Sequence, residues 1–122
     1  MLVDARNVLR SRWPNIPEGE VVELARRWAA ARGVRVHLVF DGRAPGDLVG
    51  EREVDPSLCL VGTGAESADD AIVRIAAGWR AEGRPFRLVT SDRELRRRAG
   101  DGAELTGGGS FAGELLALRP AI

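Results

Sequence analysis

Apolar residues along the chain follow two spacings, one typical of amphipathic helices and the other of buried strands. After Pro17, residues Val21, Leu24 and Trp28 lie at positions i, i+3 and i+7 of the helical repeat. Acidic residues occupy the first turn of this segment and Gly33 follows its last turn, as is usual at helix ends. The segment therefore predicts a helix that packs one face against a core.

Short runs of β-branched and other apolar residues alternate with the helical segments. Because these runs are brief and are bounded by glycine, proline or acidic residues, they predict buried strands. The predicted strands cover residues 1–4, 34–41, 58–61, 86–91 and 103–106. Further helices are predicted from Ser67 to Gly83, directly after Asp92, and from Ser110 onward. Residues 42–57 are expected to form a loop or a short hairpin, and the glycines at 107–109 a break.

Strands that alternate with helices of this length are typical of βαβ units. Such units build a mainly parallel sheet with helices on both faces. The 122 residues are about the size of one ordinary domain, and the sequence shows no internal repeat. The pattern therefore predicts a single α/β sandwich domain over residues 1–122.

Composition and charge exclude several kinds of binding and of stabilising site. The 18 basic and 18 acidic residues cancel, so bulk charge does not indicate non-specific binding of nucleic acid. Every basic residue is an arginine, which suits phosphate binding but also fits biased codon usage. One cysteine, Cys59, excludes an intrachain disulfide or a thiolate metal cluster. The chain has no transmembrane run and no signal-peptide pattern at its start, which predicts a cytoplasmic protein without membrane contact.

Acidic residues follow several of the predicted strands. Asp4 and Asp41 end the first two strands, Asp92 lies just past the fourth, and Asp69 begins the helix after the third. Because the carboxyl ends of parallel strands meet at one edge, these four side chains are expected to gather there. Clustered carboxylates repel each other unless cations neutralise them, and oxygen ligands suit Mg²⁺ or Mn²⁺. Such ions can activate water for phosphodiester hydrolysis.

Each acid also has a purely structural interpretation. An aspartate at a strand end often forms a turn or caps the next helix. Asp69 and Asp70 also complement the dipole of the helix that they begin, and Asp92 is able to cap the helix that starts with Arg93. Capping alone does not explain why several strands end in acids at one edge. On the residues alone, both interpretations stay open.

Four segments of the chain resemble a known family. In order, they are Leu2–Val8, Val39–Gly42, Glu66–Asp70 and Val89–Leu95, with the glycine-rich turn and last helix also similar. They resemble the NYN-domain ribonucleases, and more narrowly the YacP-like branch of the PIN-like nuclease superfamily. The resemblance implies a PIN-like three-layer sandwich with a central, mainly parallel sheet, and a metal-dependent endoribonuclease activity.

The resemblance also assigns roles to individual residues. It implies that Asp4, Asp69 and Asp92 are catalytic metal ligands and that Asn7 is the polar residue three positions after the first acid. Asp41 resembles the aspartate of the Phe-Asp-Gly segment of flap endonucleases, which belongs to their metal site. The family commonly has Gly-Tyr before the asparagine, whereas this chain has alanine and Arg6. This difference leaves the ligands intact and alters what packs beside them.

Other residues near the predicted edge have two interpretations each. Asn7 and Ser91 are candidates for substrate binding, and each also suits a turn or a helix cap. Arg6 and Arg93 are candidates for phosphate contacts, as are the arginines at 96 and 97 unless that helix is simply solvated. Asp70 is an alternative ligand to Asp69, although it points about 100° away on the same helix. Trp13, in the first loop, suits stacking on a base or simple exposure.

The leading hypothesis is a Mg²⁺- or Mn²⁺-dependent endoribonuclease that cuts single-stranded or looped RNA. Neutral net charge predicts modest intrinsic affinity, so a partner such as the ribosome is a candidate for presenting the RNA. The alternative is a non-catalytic RNA- or ribosome-binding module of the same fold. A metal-dependent phosphatase acting on small molecules is a third hypothesis. The sequence leaves the oligomeric state open.

Overall fold

The structure, a computed structural model, describes residues 1–120, which form six strands and five helices. The strands are β1 (Leu2–Asp4), β2 (Val36–Phe40), β3 (Gly50–Asp55), β4 (Leu58–Gly62), β5 (Arg87–Val89) and β6 (Glu104–Thr106). The helices are α1 (Ala5–Arg10), α2 (Glu18–Arg32), α3 (Ala68–Ala81), α4 (Arg93–Ala99) and α5 (Gly108–Leu116). The end of the predicted domain at residue 122 lies outside the described residues.

The six strands form one sheet in the order β3-β4-β2-β1-β5-β6. All neighbouring strands are parallel except β3, which runs antiparallel to β4 at one edge. Alternate residues of β1 face opposite cores: Val3 packs with α1, α2 and α5, and Leu2 packs with α3 and α4. This confirms the predicted α/β class with a mainly parallel central sheet.

The structure differs from the sequence-based expectations at three elements. Helix α1 follows β1 directly, where a loop was expected; Asp4 caps it and Val8 fixes its buried face. Residues 42–57, expected to form a loop or a short hairpin, contain strand β3, which pairs with β4 outside that region in an antiparallel hairpin. Helix α5 begins at Gly108, inside the glycine run that was expected to be a break. None of the helices within residues 1–120 is long and apolar enough to cross a membrane.

The two tryptophans in helices are both core residues, and Trp28 lies on the buried helix face that its spacing predicts. Trp28 is 2% exposed and packs edge-on against Phe111, and Trp79 is 8% exposed and packs against Phe86. His37 lies in β2 with its ring 4.9 Å from the ring of Trp79. Its Nδ1 atom is buried without a hydrogen-bond partner among the described residues. His37 is therefore a packed residue of the fold.

The position of His37 predicts a pH dependence of stability. Burial, followed by nearby positive charges that include Arg35 and Arg84, lowers the His37 pKa from 6.5 to about 4. The unfolded chain then binds a proton more readily than the folded one as the pH falls from 6.5 towards 4, so folding stability falls across that window. The measurement is urea denaturation of wild type and His37→Phe at several pH values across that window and above it. The variant should lose less stability on acidification, and equal losses would contradict the prediction.

Candidate active site

A cavity of about 700 Å³ opens at the carboxyl ends of β1, β2 and β5. The parallel strands place their following residues here, because all of them run towards the same edge. The four acids predicted from the sequence all line this cavity: Asp4, Asp41, Asp69 and Asp92. The structure therefore brings the predicted carboxylates together.

Asp4 is the most deeply buried of the four acids, at 8% exposure. It ends β1, the strand between β2 and β5. Its Oδ1 accepts a hydrogen bond from the Asn7 backbone nitrogen at 3.5 Å, and its Oδ2 accepts one from the Thr90 hydroxyl at 3.1 Å. Burial raises the pKa of Asp4, and the charges of Asp69 and Asp92 add to the rise. This carboxylate is held in a fixed place beside two others.

Asp41 and Asp92 each connect the cavity to the start of a helix. Asp41 Oδ1 accepts a hydrogen bond from the Ala68 backbone nitrogen at 2.9 Å, where α3 begins. Asp92 is the N-cap of α4, and its Oδ1 accepts from the Leu95 backbone nitrogen at 3.1 Å. Asp41 and Asp92 therefore each bond the start of a helix and also line the acidic cavity. Each bond uses one carboxylate oxygen and leaves the other free of that helix.

Asp69 and Asp70 have different surroundings although they are adjacent. Asp69 lines the cavity, and its pKa is raised by burial first and by the charge of Asp92 second. Asp70 is exposed and accepts a hydrogen bond from Arg98 at 2.8 Å, which lowers its pKa. The structure thus places Asp69 in the cavity and gives Asp70 an arginine partner outside it.

The donor set of the cavity suits a hard divalent cation in its chemistry. Four carboxylates are available as oxygen ligands. Burial first, and the charges of neighbouring carboxylates after it, raise the pKa values of Asp4 and Asp69. Within residues 1–120, no three acidic, histidine or cysteine side chains already converge as a ready-made metal site. The residues therefore fit Mg²⁺ or Mn²⁺ by charge and ligand type.

Asn7 and Ser91 join three elements at the wall of the cavity. The Asn7 carboxamide oxygen accepts a hydrogen bond from the Ser91 backbone nitrogen at 2.9 Å. The Ser91 hydroxyl in turn accepts one from the Gly108 backbone nitrogen at 2.9 Å. These bonds tie α1, the end of β5 and the start of α5 to one another. Both residues line the cavity, and both hold the backbone around it.

Thr90 is a member of the site that the sequence reasoning missed. It is fully buried; its hydroxyl donates to Asp4 and accepts from the Asp92 backbone nitrogen at 3.2 Å. One side chain therefore links the Asp4 carboxylate to the backbone of Asp92. The sequence offered one indication of this role: Thr90 lies in the segment Val89–Leu95, at the end of a predicted strand. A buried hydroxyl in such a place needs hydrogen-bond partners.

The arginines near the cavity divide into two groups. Arg6 lines the cavity, with its Nη1 atom 3.6 Å from Asp41 Oδ2, and Arg10 lines it as well, although sequence reasoning did not select it. Arg93 is exposed at the start of α4 and is not among the lining residues. Arg96 donates from Nε to the Thr90 carbonyl at 2.7 Å, and Arg97 pairs with its own helix neighbour Glu94. Two of the three arginines on the expected face of α4 therefore already have partners within the protein.

Gly108 has a packing role that predicts a measurable coupling. A Cβ atom at this position would lie 1.9 Å from Asn7 Oδ1, so Gly108→Ala should displace the carboxamide and break its bond to Ser91. We expect a loss of about 1–3 kcal/mol in wild type and a smaller loss in an Asn7→Ala background, where the obstacle is absent. Urea denaturation of the four proteins of this double-mutant cycle measures the coupling. Equal losses in both backgrounds would show that Asn7 does not occupy this space.

Comparisons with known proteins agree with the fold and the order of its motifs. The model of the YacP-like NYN domain matches residues 1–121. A crystal structure of Rae1 (YacP) from Bacillus subtilis is similar with a TM-score of 0.67 and 21% identity, covering 95% of this chain and 72% of that one. A mutant form of that protein gives 0.68 and 19%, with 95% and 74% covered. No curated protein matches the chain.

The match over almost the whole chain and the shared fold confirm the resemblance seen in the four sequence segments. The structural likeness by itself shows the fold, because identity to these structures is low. The family model carries the assignment further. The chain belongs to the YacP-like NYN domain family, whose members are generally RNA-related nucleases.

Proposed function

We propose that this protein is a metal-dependent endoribonuclease that hydrolyses phosphodiester bonds in single-stranded or looped RNA. The observation that carries the proposal is the cavity where Asp4, Asp41, Asp69 and Asp92 meet, in a chain that belongs to a family of RNA-related nucleases. Four carboxylates held together at one sheet edge cost free energy through repulsion and desolvation. Binding of a divalent cation would offset that cost.

The four aspartates are the residues that would hold one or two Mg²⁺ or Mn²⁺ ions. When bound, such an ion supplies an activated water and neutralises charge on the leaving oxygen. The protein's own groups position the reactants. Asp4 is held by hydrogen bonds from Thr90 and from the start of α1, and Asp92 by one from the start of α4. Two of the proposed metal-binding residues are therefore held in place before a metal ion binds. Preorganisation of this kind lowers the cost of assembling a site.

Arg6 is the proposed contact for the phosphate that is cut. Its guanidinium lies at the cavity wall against Asp41, where a negatively charged phosphate would compete for it. Asn7 and Ser91 shape the wall on which a ribose or phosphate would rest, and Arg93 at the exposed start of α4 would contact a flanking phosphate. In this proposal the residues contact the sugar-phosphate backbone, so they carry little sequence preference.

The proposed partner is RNA, presented either free or on the ribosome. Nine arginines pair with acids away from the cavity: Arg26, Arg32, Arg35, Arg43, Arg74, Arg87, Arg97, Arg98 and Arg119. Because the basic and acidic residues of the chain are equal in number, no excess of positive charge attracts RNA in bulk. A weak intrinsic affinity favours delivery of the substrate by a larger assembly. A cytoplasmic location belongs to the same proposal.

The chemistry of the cut ends tests the proposal. Attack by water leaves a 5′-phosphate and a 3′-hydroxyl, whereas attack by the neighbouring 2′-hydroxyl leaves a cyclic phosphate. We expect cleavage of labelled RNA in Mn²⁺ or Mg²⁺, none in EDTA, and products that a 5′-phosphate-dependent ligase accepts. Cyclic phosphate ends, or cutting that survives EDTA, would reject the mechanism.

A non-catalytic RNA-binding module is the second candidate function. It is favoured by the observation that no three ligand-type side chains converge within the described part of the chain, and that three of the four aspartates accept backbone hydrogen bonds. Replacing Asp4 and Asp92 by asparagine separates the candidates. A binding module keeps its affinity for RNA after both changes and never cuts RNA in any metal, whereas the proposed nuclease loses its activity.

A further inference from the structure

Trp13 is the most exposed large hydrophobic residue among residues 1–120, at 91%. The other two tryptophans are almost fully buried. A tryptophan that contributes nothing to the core has its whole indole surface available to a partner. The residues around Trp13 indicate which kind of partner it would bind.

The loop that carries Trp13 is fixed on both sides. Before it, the Ser11 hydroxyl donates to the Val8 carbonyl at 2.6 Å, and Arg12 Nη2 donates to the Gly109 carbonyl at 3.2 Å. After it, the Ile16 backbone nitrogen donates to the Leu9 carbonyl at 3.0 Å, and the Ile16 side chain is buried. The exposed ring is therefore carried by an anchored segment.

The same loop borders the acidic cavity. Arg10 and Ser11 line it, and so does Gly109, the residue that holds Arg12. Two residues of chain span at most about 7 Å, so the Trp13 backbone lies within that distance of Ser11. Trp13 is not itself a lining residue, so a base on the indole would belong to a nucleotide adjacent to the one whose phosphate enters the cavity.

The charges beside Trp13 are unpaired. Arg10 and Arg12 form no ion pair with any acid in residues 1–120, although many other arginines of the surface do so. Arg12 keeps its hydrogen bond to the Gly109 carbonyl, but neither guanidinium is neutralised by an acid. Two such arginines just before an exposed indole have the composition of a single-strand binding surface, where bases stack and the backbone is held by charge. Duplex bases are already stacked and do not offer such a face.

We propose that Trp13, Arg10 and Arg12 form a stacking platform that holds an unpaired RNA base next to the phosphate being cut. The inference rests on the proposed function and deepens it, since it names the residues that would hold an unpaired base of the substrate. A protein partner fits less well, because two arginines precede the ring in the sequence and its loop carries no other exposed large hydrophobic side chain. Stable protein interfaces need roughly 800 Å² per partner around an apolar centre.

The first test measures binding of a fluorescein-labelled oligouridine in EDTA, so that cleavage does not interfere. We expect Trp13→Ala to weaken the Kd by about 5- to 100-fold and Trp13→Phe to keep most of the affinity. Val34→Ala, which trims another exposed hydrophobic residue away from the acidic cavity, is the matched control and should bind as wild type. Intrinsic fluorescence adds a second readout, because the exposed indole should be quenched by the oligomer and the two buried ones much less.

The charged part of the platform has its own control. Arg10→Gln should reduce the slope of log K against log salt by about 0.7, the value for one phosphate contact on a single strand. Arg27→Gln removes another arginine that lacks an acidic partner in the described chain; Arg27 donates to the Leu118 carbonyl and does not line the cavity. That control should leave the slope unchanged.

The outcomes separate this inference from the proposed function. Oligouridine binding that depends on Trp13, without cutting in any metal, would support the platform and reject the nuclease. Metal-dependent cutting with equal RNA affinity in Trp13→Ala and wild type would reject the platform and keep the nuclease. Absence of oligouridine binding, or self-association in sedimentation that disappears in Trp13→Ala, would also overturn the platform.

Discussion

Replacing Asp69 by asparagine should reduce metal-dependent RNA cleavage by more than about 100-fold while the protein stays folded. Groups that only support metal ligands cost about 10- to 100-fold when removed, so loss of a ligand should exceed that range. Asp69 lines the cavity, and its raised pKa shows that burial and the charge of Asp92 disfavour the ionised form without a cation. Asparagine removes that unfavourable charge. Stability should change by less than about 1 kcal/mol, the usual value of an acid in the first turn of a helix.

Asp70→Asn is the matched control for this prediction. The change is the same, on the next residue of α3, but it weakens an exposed pair with Arg98 rather than the cavity. Exposed ion pairs contribute about 0–1 kcal/mol. The measurement compares the two variants for their cleavage rates in Mn²⁺ and their thermal unfolding. It shows which of the two aspartates is needed for cleavage. If Asp70→Asn loses activity and Asp69→Asn does not, the assignment of the ligand on this helix is wrong.

Replacing Gly62 by alanine should be the most damaging small change to the fold. A Cβ atom there would lie 1.9 Å from the Leu48 carbonyl oxygen and 3.0 Å from the Ala44 backbone nitrogen. These are backbone atoms of a turn closed by reciprocal hydrogen bonds between Ala44 and Leu48, so the obstacle cannot rotate away. We expect a loss of about 3 kcal/mol, at the upper end of typical overpacking.

Gly78→Ala is the control for the change at Gly62. Gly78 lies inside α3, and a Cβ atom added there would have nothing within 4 Å, so alanine should stabilise the helix by up to about 1 kcal/mol. Urea denaturation gives both values. Opposite signs are expected for the two glycines, and equal effects would contradict the close contact at Gly62.

The turn that Gly62 contacts begins three residues after Asp41, which lines the cavity. The Gly42 backbone nitrogen, directly after Asp41, donates to the hydroxyl of Thr63, directly after β4. A shift of the turn should therefore move Asp41 as well. Gly62→Ala protein that remains folded should lose cleavage activity, which the RNA assay measures on the folded fraction.

The sequence predicts the acidic edge well because the rule behind it is simple. Parallel strands all end at the same edge of the sheet, so residues that follow them lie close together there. The positions of Asp4, Asp41 and Asp92 after three such strands therefore place them in one cavity. The same argument finds Asp69, at the start of the helix after β4. Helix α1 was missed because its six residues are fewer than two turns, too few to show a helical repeat.

The residues that the sequence did not reveal depend on contacts between distant parts of the chain. Thr90 acts through a bond to Asp4, 86 residues away along the chain. Gly108 starts α5 despite its low helix propensity, because Ser91 accepts from its nitrogen and Asn7 fills the space of a Cβ. Arg96 is one of several arginines in α4, yet only the structure shows that it holds the Thr90 carbonyl. Local patterns do not contain such information.

One assay tests whether the four-aspartate cavity cuts RNA with a divalent ion. End-labelled RNA is incubated with wild type and Asp92→Asn in Mn²⁺, Mg²⁺ or EDTA. Asparagine caps helices about as well as aspartate, so the variant should keep the start of α4. We predict cutting by wild type in metal only and its loss in the variant. Cutting that persists in EDTA or in Asp92→Asn, or no cutting in any metal, would contradict the claim.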